Sequence, residues 1–119
     1  MNNLDSLYAS YYEEYENKYS VFIPNIGFAN YSIEDKNSIY IQEVYVVKNK
    51  RREGISGTLQ KMCVEDAREK GLEVRYIYTS TATNSNTTKA SLDVIEAYGY
   101  TTFNIDNTNN IIYFKKEIE

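Results

Sequence analysis

The chain has 119 residues, 42% of them hydrophobic, which is enough for one core, so 1–119 is read as a single domain. It carries one cysteine, Cys63, and no histidine, which excludes an internal disulfide and leaves no metal site of the Cys/His kind. A formal net charge of −4 argues against nucleic acid as a partner, and no apolar run approaches the ~20 residues a membrane span requires. With an N-terminus unlike a secretory signal, the expectation is a cytoplasmic protein whose charged targets carry amines.

Leu4, Leu7, Tyr8, Tyr11, Tyr12, Tyr15 and Tyr19 recur at helical spacing with Asp5, Glu13, Glu14 and Glu16 between them, predicting an amphipathic helix within 1–19, with Asn3 as N-cap. The thirteen tyrosines could form a stacking surface for bases or sugars, but tyrosine equally suits strands and half-buried helix faces. From Ser20 the pattern shifts to β-rich runs, Val21 to Ile23, Ile26 to Tyr31 and Ile39 to Val47, broken by Pro24-Asn25 and by the polar stretch Glu34 to Ser38. These read as antiparallel strands. Ile55, Leu59, Met62, Cys63 and Ala67 then mark one face of a helix from about Ser56 to Lys70, closed by Gly71. A strand through Val74, Tyr76 and Tyr78 is followed by a predicted loop, Thr79 to Lys89. A second helix through Ala90, Val94, Ile95 and Tyr98 stops at Gly99, and Tyr100 to Ile105 and Ile111 to Lys116 form a closing hairpin. The fold class is therefore α/β (α+β): a mixed, mostly antiparallel sheet flanked by helices.

Between the longest strand and the first long helix lies Lys48-Asn49-Lys50-Arg51-Arg52-Glu53-Gly54-Ile55-Ser56-Gly57-Thr58. A strand entering a basic, glycine-containing loop that opens a helix suits phosphate: the first helical N–H groups and the positive end of the helix dipole face the anion. Gly54 and Gly57 permit close approach, Arg51 and Arg52 supply charge, and Thr58 can add a hydroxyl. The segment is neither a P-loop nor a dinucleotide fingerprint. An ordinary strand-to-helix turn would use the same glycines.

These residues resemble motif A of the GNAT superfamily of N-acetyltransferases, whose core reads Gln/Arg-x-x-Gly-x-Gly/Ala, with Arg51, Gly54 and Ser56 at the defining positions. Ser56 departs from the pattern by being neither glycine nor alanine. Gly99-Tyr100 resembles the family's Gly-Phe helix ending, and the region 39–116 follows the family's order of elements. The resemblance implies acetyl-coenzyme A as co-substrate, held by Tyr45, Val46 and Val47 of the central strand, by Arg51, Arg52, Gly54, Ile55, Ser56, Gly57 and Thr58, and by Asn86 (with Asn84 near it) on the later loop.

It also implies direct transfer of acetyl to a primary amine, on a protein lysine or N-terminus or on a small polyamine-like acceptor. Glu43 resembles the strand glutamate that acts as base or relays through water; the alternative is a glutamate paired with a basic residue on a wet face. Tyr98 is the nearest replacement for the family's leaving-group tyrosine, whose own position here is Ile95; the alternative is helix-end packing. A non-catalytic module binding a protein partner, with or without acyl-coenzyme A, is the competing function. A homodimer partner could complete the acceptor site. Cys63, on the apolar helix face, reads as core.

Overall fold

The computed structural model describes residues 3–83 and 95–118. Helix α1 (Asn3–Glu16) precedes strands β1 (Tyr19–Ile23), β2 (Gly27–Asp35) and β3 (Ser38–Val46), followed by helix α2 (Ile55–Glu69), β4 (Tyr76–Ala82), β5 (Thr101–Asp106) and β6 (Ile111–Glu117). The described strands form one sheet in the order β1-β2-β3-β4-β6-β5. Every neighbouring pair is antiparallel except β3 and β4. A parallel pair cannot be joined by a tight turn, and α2 supplies the crossover.

One face of the sheet is sealed by α2. Leu59, Cys63, Val64 and Ala67 of the helix are buried with Val21, Ala29, Tyr31, Ile39, Ile41 and Ile77 of the strands, which is the apolar stripe the sequence predicts meeting inward-facing strand residues. Tyr31 is wholly buried, and its hydroxyl donates to Asp66 on α2 at 2.6 Å. The helix ends as expected: Gly71 takes φ 95° while its N–H and that of Leu72 return to the carbonyls of Arg68 and Ala67.

The opposite face carries α1 at the β1–β2 end. Tyr8 packs against Phe22 and Phe28, with ring centroids 5.8 and 5.3 Å away, and against Tyr12 at 4.4 Å. Only part of the predicted stripe is used, since Leu4, Leu7, Tyr11 and Tyr15 stay exposed. Beneath α1 the sheet offers rings from β1 and the start of β2, a smaller apolar surface than the helix presents.

Several predicted boundaries are corrected. Tyr19 belongs to β1, opposite Tyr31, because the helix stops at Glu16 and Asn17 adopts φ 53°. β2 runs on to Asp35, so the polar stretch from Glu34 is mostly strand and the turn shrinks to residues 36–37. Thr79 to Ala82 continue β4 rather than opening a loop: they pair with Phe114 back to Ile111, and β-branched Thr79 and Thr81 suit a pleat. The last predicted helix is described over residues 95–97, before Gly99 turns at φ 86°. The β5–β6 hairpin forms as predicted, its turn held by Asp106, whose carboxylate accepts from the N–H groups of Thr108 and Asn109 and from the Asn109 amide.

Candidate functional site

The parallel β3–β4 ladder is short. It pairs Ser38, Ile39 and Tyr40 with Tyr76, Ile77 and Tyr78, after which no further partners join the two strands. β3 then follows β2 and β4 follows β6, so a gap opens between them. A cleft of about 670 Å3 fills this gap, lined by Glu43 and Tyr45 of β3, Ser80 of β4, Arg51 and Ser56 around the start of α2, and Tyr98.

An irregularity in β3 decides what faces the gap. The register passes from Tyr31↔Ile41 to Asn30↔Glu43, leaving Gln42 as the extra residue of a bulge. Before it, the carbonyl of Ile41 faces β4, where it accepts from the Thr79 hydroxyl at 3.1 Å. After it, the N–H groups of Glu43 and Val47 face β2, donating to the Asn30 side-chain oxygen at 3.1 Å and to the Ile26 carbonyl at 2.8 Å. Alternation along the strand therefore turns the main-chain groups of Val44 and Val46 into the gap. The Val46 carbonyl is met there by Arg51 Nε at 3.0 Å.

The same shift fixes the side chains. Val44 and Val46 stand opposite Ala29 and Gly27 on the α2 face, while Glu43 and Tyr45 stand on the α1 face, as the one-residue offset predicts. Among the described residues, Glu43 pairs with no lysine or arginine. Its carboxylate accepts from Asn30 Nδ2 at 3.3 Å, and that amide also donates to the Tyr8 hydroxyl at 3.2 Å. Asn30 is wholly buried and binds the Glu43 main chain and side chain together. Burial pushes the Tyr8 phenol up to about 12, against the opposing effect of the Asn30 amide. Asn30 and Tyr8 escaped sequence reasoning, although an asparagine inside the run Gly27-Phe-Ala-Asn-Tyr31 was a signal: a polar side chain on a buried strand needs partners.

The loop and helix start have the predicted form. Gly54 is the N-cap of α2 at φ 79°, and Arg52 also has positive φ, 68°. At the first turn, the Gly57 N–H donates to the Tyr98 hydroxyl at 3.2 Å. The N–H of Thr58 returns to the Gly54 carbonyl at 3.2 Å, with its hydroxyl at 3.4 Å from the same oxygen. Among the described residues, the N–H groups at the helix start with no intrahelical partner and no such engagement are those of Ile55 and Ser56. Arg51 is tied to the strand end by its bond to Val46 and lies 5.8 Å from the Tyr45 ring; both Arg51 and Arg52 are exposed. Val47 gives its N–H to Ile26 and so does not present it to the gap. Tyr98 lines the cleft and also packs on Gly57. Asn84 and Asn86 lie outside the described residues.

The parallel strands part beside a glycine loop that opens a helix, which is where the motif-like residues stand, and the family comparison decides which family they belong to. The sequence model of the GCN5-related N-acetyl-transferase family matches residues 14–82. The chain belongs to this family. The GNAT fold is shared with a GNAT family acetyltransferase from Elizabethkingia anophelis, solved with acetyl-CoA bound, at TM-score 0.65 and 17% identity over 99% of this chain and 84% of that one. It is shared also with the PaiA N-acetyltransferase of Thermoplasma acidophilum in complex with coenzyme A, at TM-score 0.69 and 12% identity over 97% and 70%. A nourseothricin acetyltransferase gives 0.64 and 17% over 86% and 66%. No curated protein matches the chain. Among the described residues, no helix is long and apolar enough to cross a membrane.

Proposed function

We propose that the protein transfers the acetyl group of acetyl-coenzyme A directly to a primary amine in the β3–β4 cleft. The observation that carries this reading is the convergence of Glu43, Arg51, Ser56 and Tyr98 on one cleft into which a bulged strand turns its main-chain groups. The residues fit the pyrophosphate of the co-substrate: the Ile55 and Ser56 N–H groups and the helix dipole face it, Gly54 leaves the approach open with nothing within 4 Å of a Cβ there, and Arg51 and Arg52 add charge. Solved relatives hold acetyl-CoA or coenzyme A.

In this reading Glu43, held by Asn30, takes a proton from the acceptor ammonium, directly or through water, so that a neutral nitrogen can attack the thioester carbon. The Val44 N–H, facing the gap, supplies a donor for the carbonyl oxygen as it gains charge. As the new C–N bond replaces the C–S bond, the Tyr98 hydroxyl gives its proton to the departing thiolate. Its oxygen already accepts the Gly57 N–H, which holds the hydroxyl beside the start of α2. A lone cysteine, buried as a thiol, accords with a cytoplasmic location.

Incubation with labelled acetyl-coenzyme A and a panel of primary amines tests the proposal. Glu43→Gln should lower kcat by about 100-fold or more while leaving the KM for acetyl-coenzyme A little changed. Gly54→Asp, which puts a carboxylate and a strained φ at the loop, should raise the KM for acetyl-coenzyme A. Transfer by the native chain that never exceeds the Gly54→Asp level, for any amine, would sink the proposal.

A further inference from the structure

The sheet face away from α2 carries a second hollow, of about 370 Å3, that the transfer chemistry does not use. Four aromatic rings wall it: Tyr40, Tyr78, Tyr113 and Phe103. They converge because Tyr40 and Tyr78 are partners across the parallel ladder, Tyr113 stands one strand further opposite Ser80, and Phe103, at the irregularity in β5, meets the Tyr78 ring edge-on at 5.4 Å. The rest of the described lining is Glu34, Asp35 and Ser38, so among the described residues it carries two carboxylates and no basic side chain.

Three features point to what it would take. Ring faces carry the negative part of the aromatic quadrupole, and beside ionised carboxylates they attract an organic cation. Asp35 is held below the usual carboxylate range, first by the Asn37 N–H at 2.7 Å, so its charge persists well into acid. Ser38 is 1% exposed, and its hydroxyl lies near enough to Asp35 to add to that effect yet finds no partner in bonding geometry. A buried oxygen with unfilled acceptor capacity is uncommon and favours a ligand that brings N–H donors. The protein also shows how such a surface behaves. Lys115 on β6 lays its ammonium 4.3 Å from the Tyr76 ring and 5.7 Å from the Tyr78 ring.

We propose that this hollow binds an alkylammonium group and, resting on the transferase reading, that the group is the second cation of a diamine acceptor. The hollow and the cleft are joined through one hydrogen-bonded pair: Tyr40 lines the first, Ser80 lines the second, and their hydroxyls are bonded to each other. Tyr40 and Glu43 are three residues apart on β3, roughly 10 Å at the usual strand rise, so the two nitrogens of a bridging acceptor are separated by a long flexible chain.

The test uses the full chain with diaminooctane, aminated at both ends, and octylamine, aminated at one. Without acetyl-coenzyme A, the tyrosine ring NMR signals of Tyr40, Tyr78 and Tyr113 should shift on titration with either amine. Glu34→Gln and Phe103→Ala alter exposed side chains, leave the fold in place, and should each weaken that binding by about 2- to 5-fold. Lys115→Gln removes a competing charge and should strengthen it. With acetyl-coenzyme A, kcat/KM should favour diaminooctane over octylamine, and the Glu34→Gln, Phe103→Ala double variant should bring the ratio toward one without slowing octylamine. Ring signals that stay still at millimolar amine, or affinities indifferent to all three substitutions, overturn the site while leaving the transferase intact. Shifting ring signals with no acetylation of either amine overturn the acceptor assignment, while the transferase reading is decided by the wider panel of amines.

Discussion

Gly57→Ala is the substitution for which geometry and helix propensity disagree most clearly. By propensity alone, alanine within the first turn of α2 should stabilise the helix by about 0.5–1 kcal/mol. A Cβ at this position, however, would lie 2.7 Å from Cε1 and 3.3 Å from Cζ of Tyr98. The ring must move, which costs about 1–3 kcal/mol for a packed side chain, and the Gly57–Tyr98 hydrogen bond adds about 1 kcal/mol when broken. The net expectation is a loss of about 1–3 kcal/mol, on the order of 4 °C in melting temperature for each kcal/mol, together with a fall in kcat because Tyr98 lines the cleft. In a Tyr98→Ala background the obstacle is gone, and the same Gly57→Ala change should become stabilising by about 0.5–1 kcal/mol. Denaturant melts of the four proteins measure both steps as a double-mutant cycle. The same sign of effect in both backgrounds would refute the contact as the reason for glycine at 57.

Two further outcomes are expected. Asn30→Ala removes the amide joining Tyr8, the Glu43 carboxylate and the Glu43 N–H in a wholly buried place, so stability should fall by about 2–4 kcal/mol; kcat should fall more than the KM for acetyl-coenzyme A rises, because the glutamate loses its hold while the α2 start is untouched. At high pH, burial keeps Cys63 protonated, raising its thiol from 9.0 to about 12, and it likewise raises Tyr8, Tyr31 and Tyr100 above the ordinary 10.0. Each group binds its proton more tightly folded than unfolded, so this stability is full below about pH 9 and is lost as the pH climbs toward 12. Melting temperatures should decline through that window, less steeply in Tyr31→Phe, and an unchanged melting temperature at about pH 11 would contradict the burial of these groups.

Much of the fold was legible because local pattern and tertiary environment agree. The apolar spacing from Ile55 to Ala67 needed one sheet face to cover it and found one, and Gly54 and Gly71 stand at the backbone turns their positions announce. Agreement failed where pairing replaced propensity. Thr79 to Ala82 look like loop residues until β6 lies beside them, and the polar end of β2 is strand because β3 continues to pair with it.

The sequence by itself determined the phosphate-suited loop, the helix it opens, and the presence of Glu43 one residue out of phase with the apolar face of β3, because each depends on neighbours a few positions away. Tertiary structure alone decided how those pieces act together. The bulge at Gln42 turns Val44 and Val46 toward the gap, Asn30 fastens Glu43 to Tyr8, and Tyr98 claims the Gly57 N–H, so that among the described residues the Ile55 and Ser56 N–H groups at the helix start stay unengaged. These contacts join residues 13 to 41 positions apart, and no periodicity along a chain encodes which distant side chain fills a hydrogen-bonding vacancy.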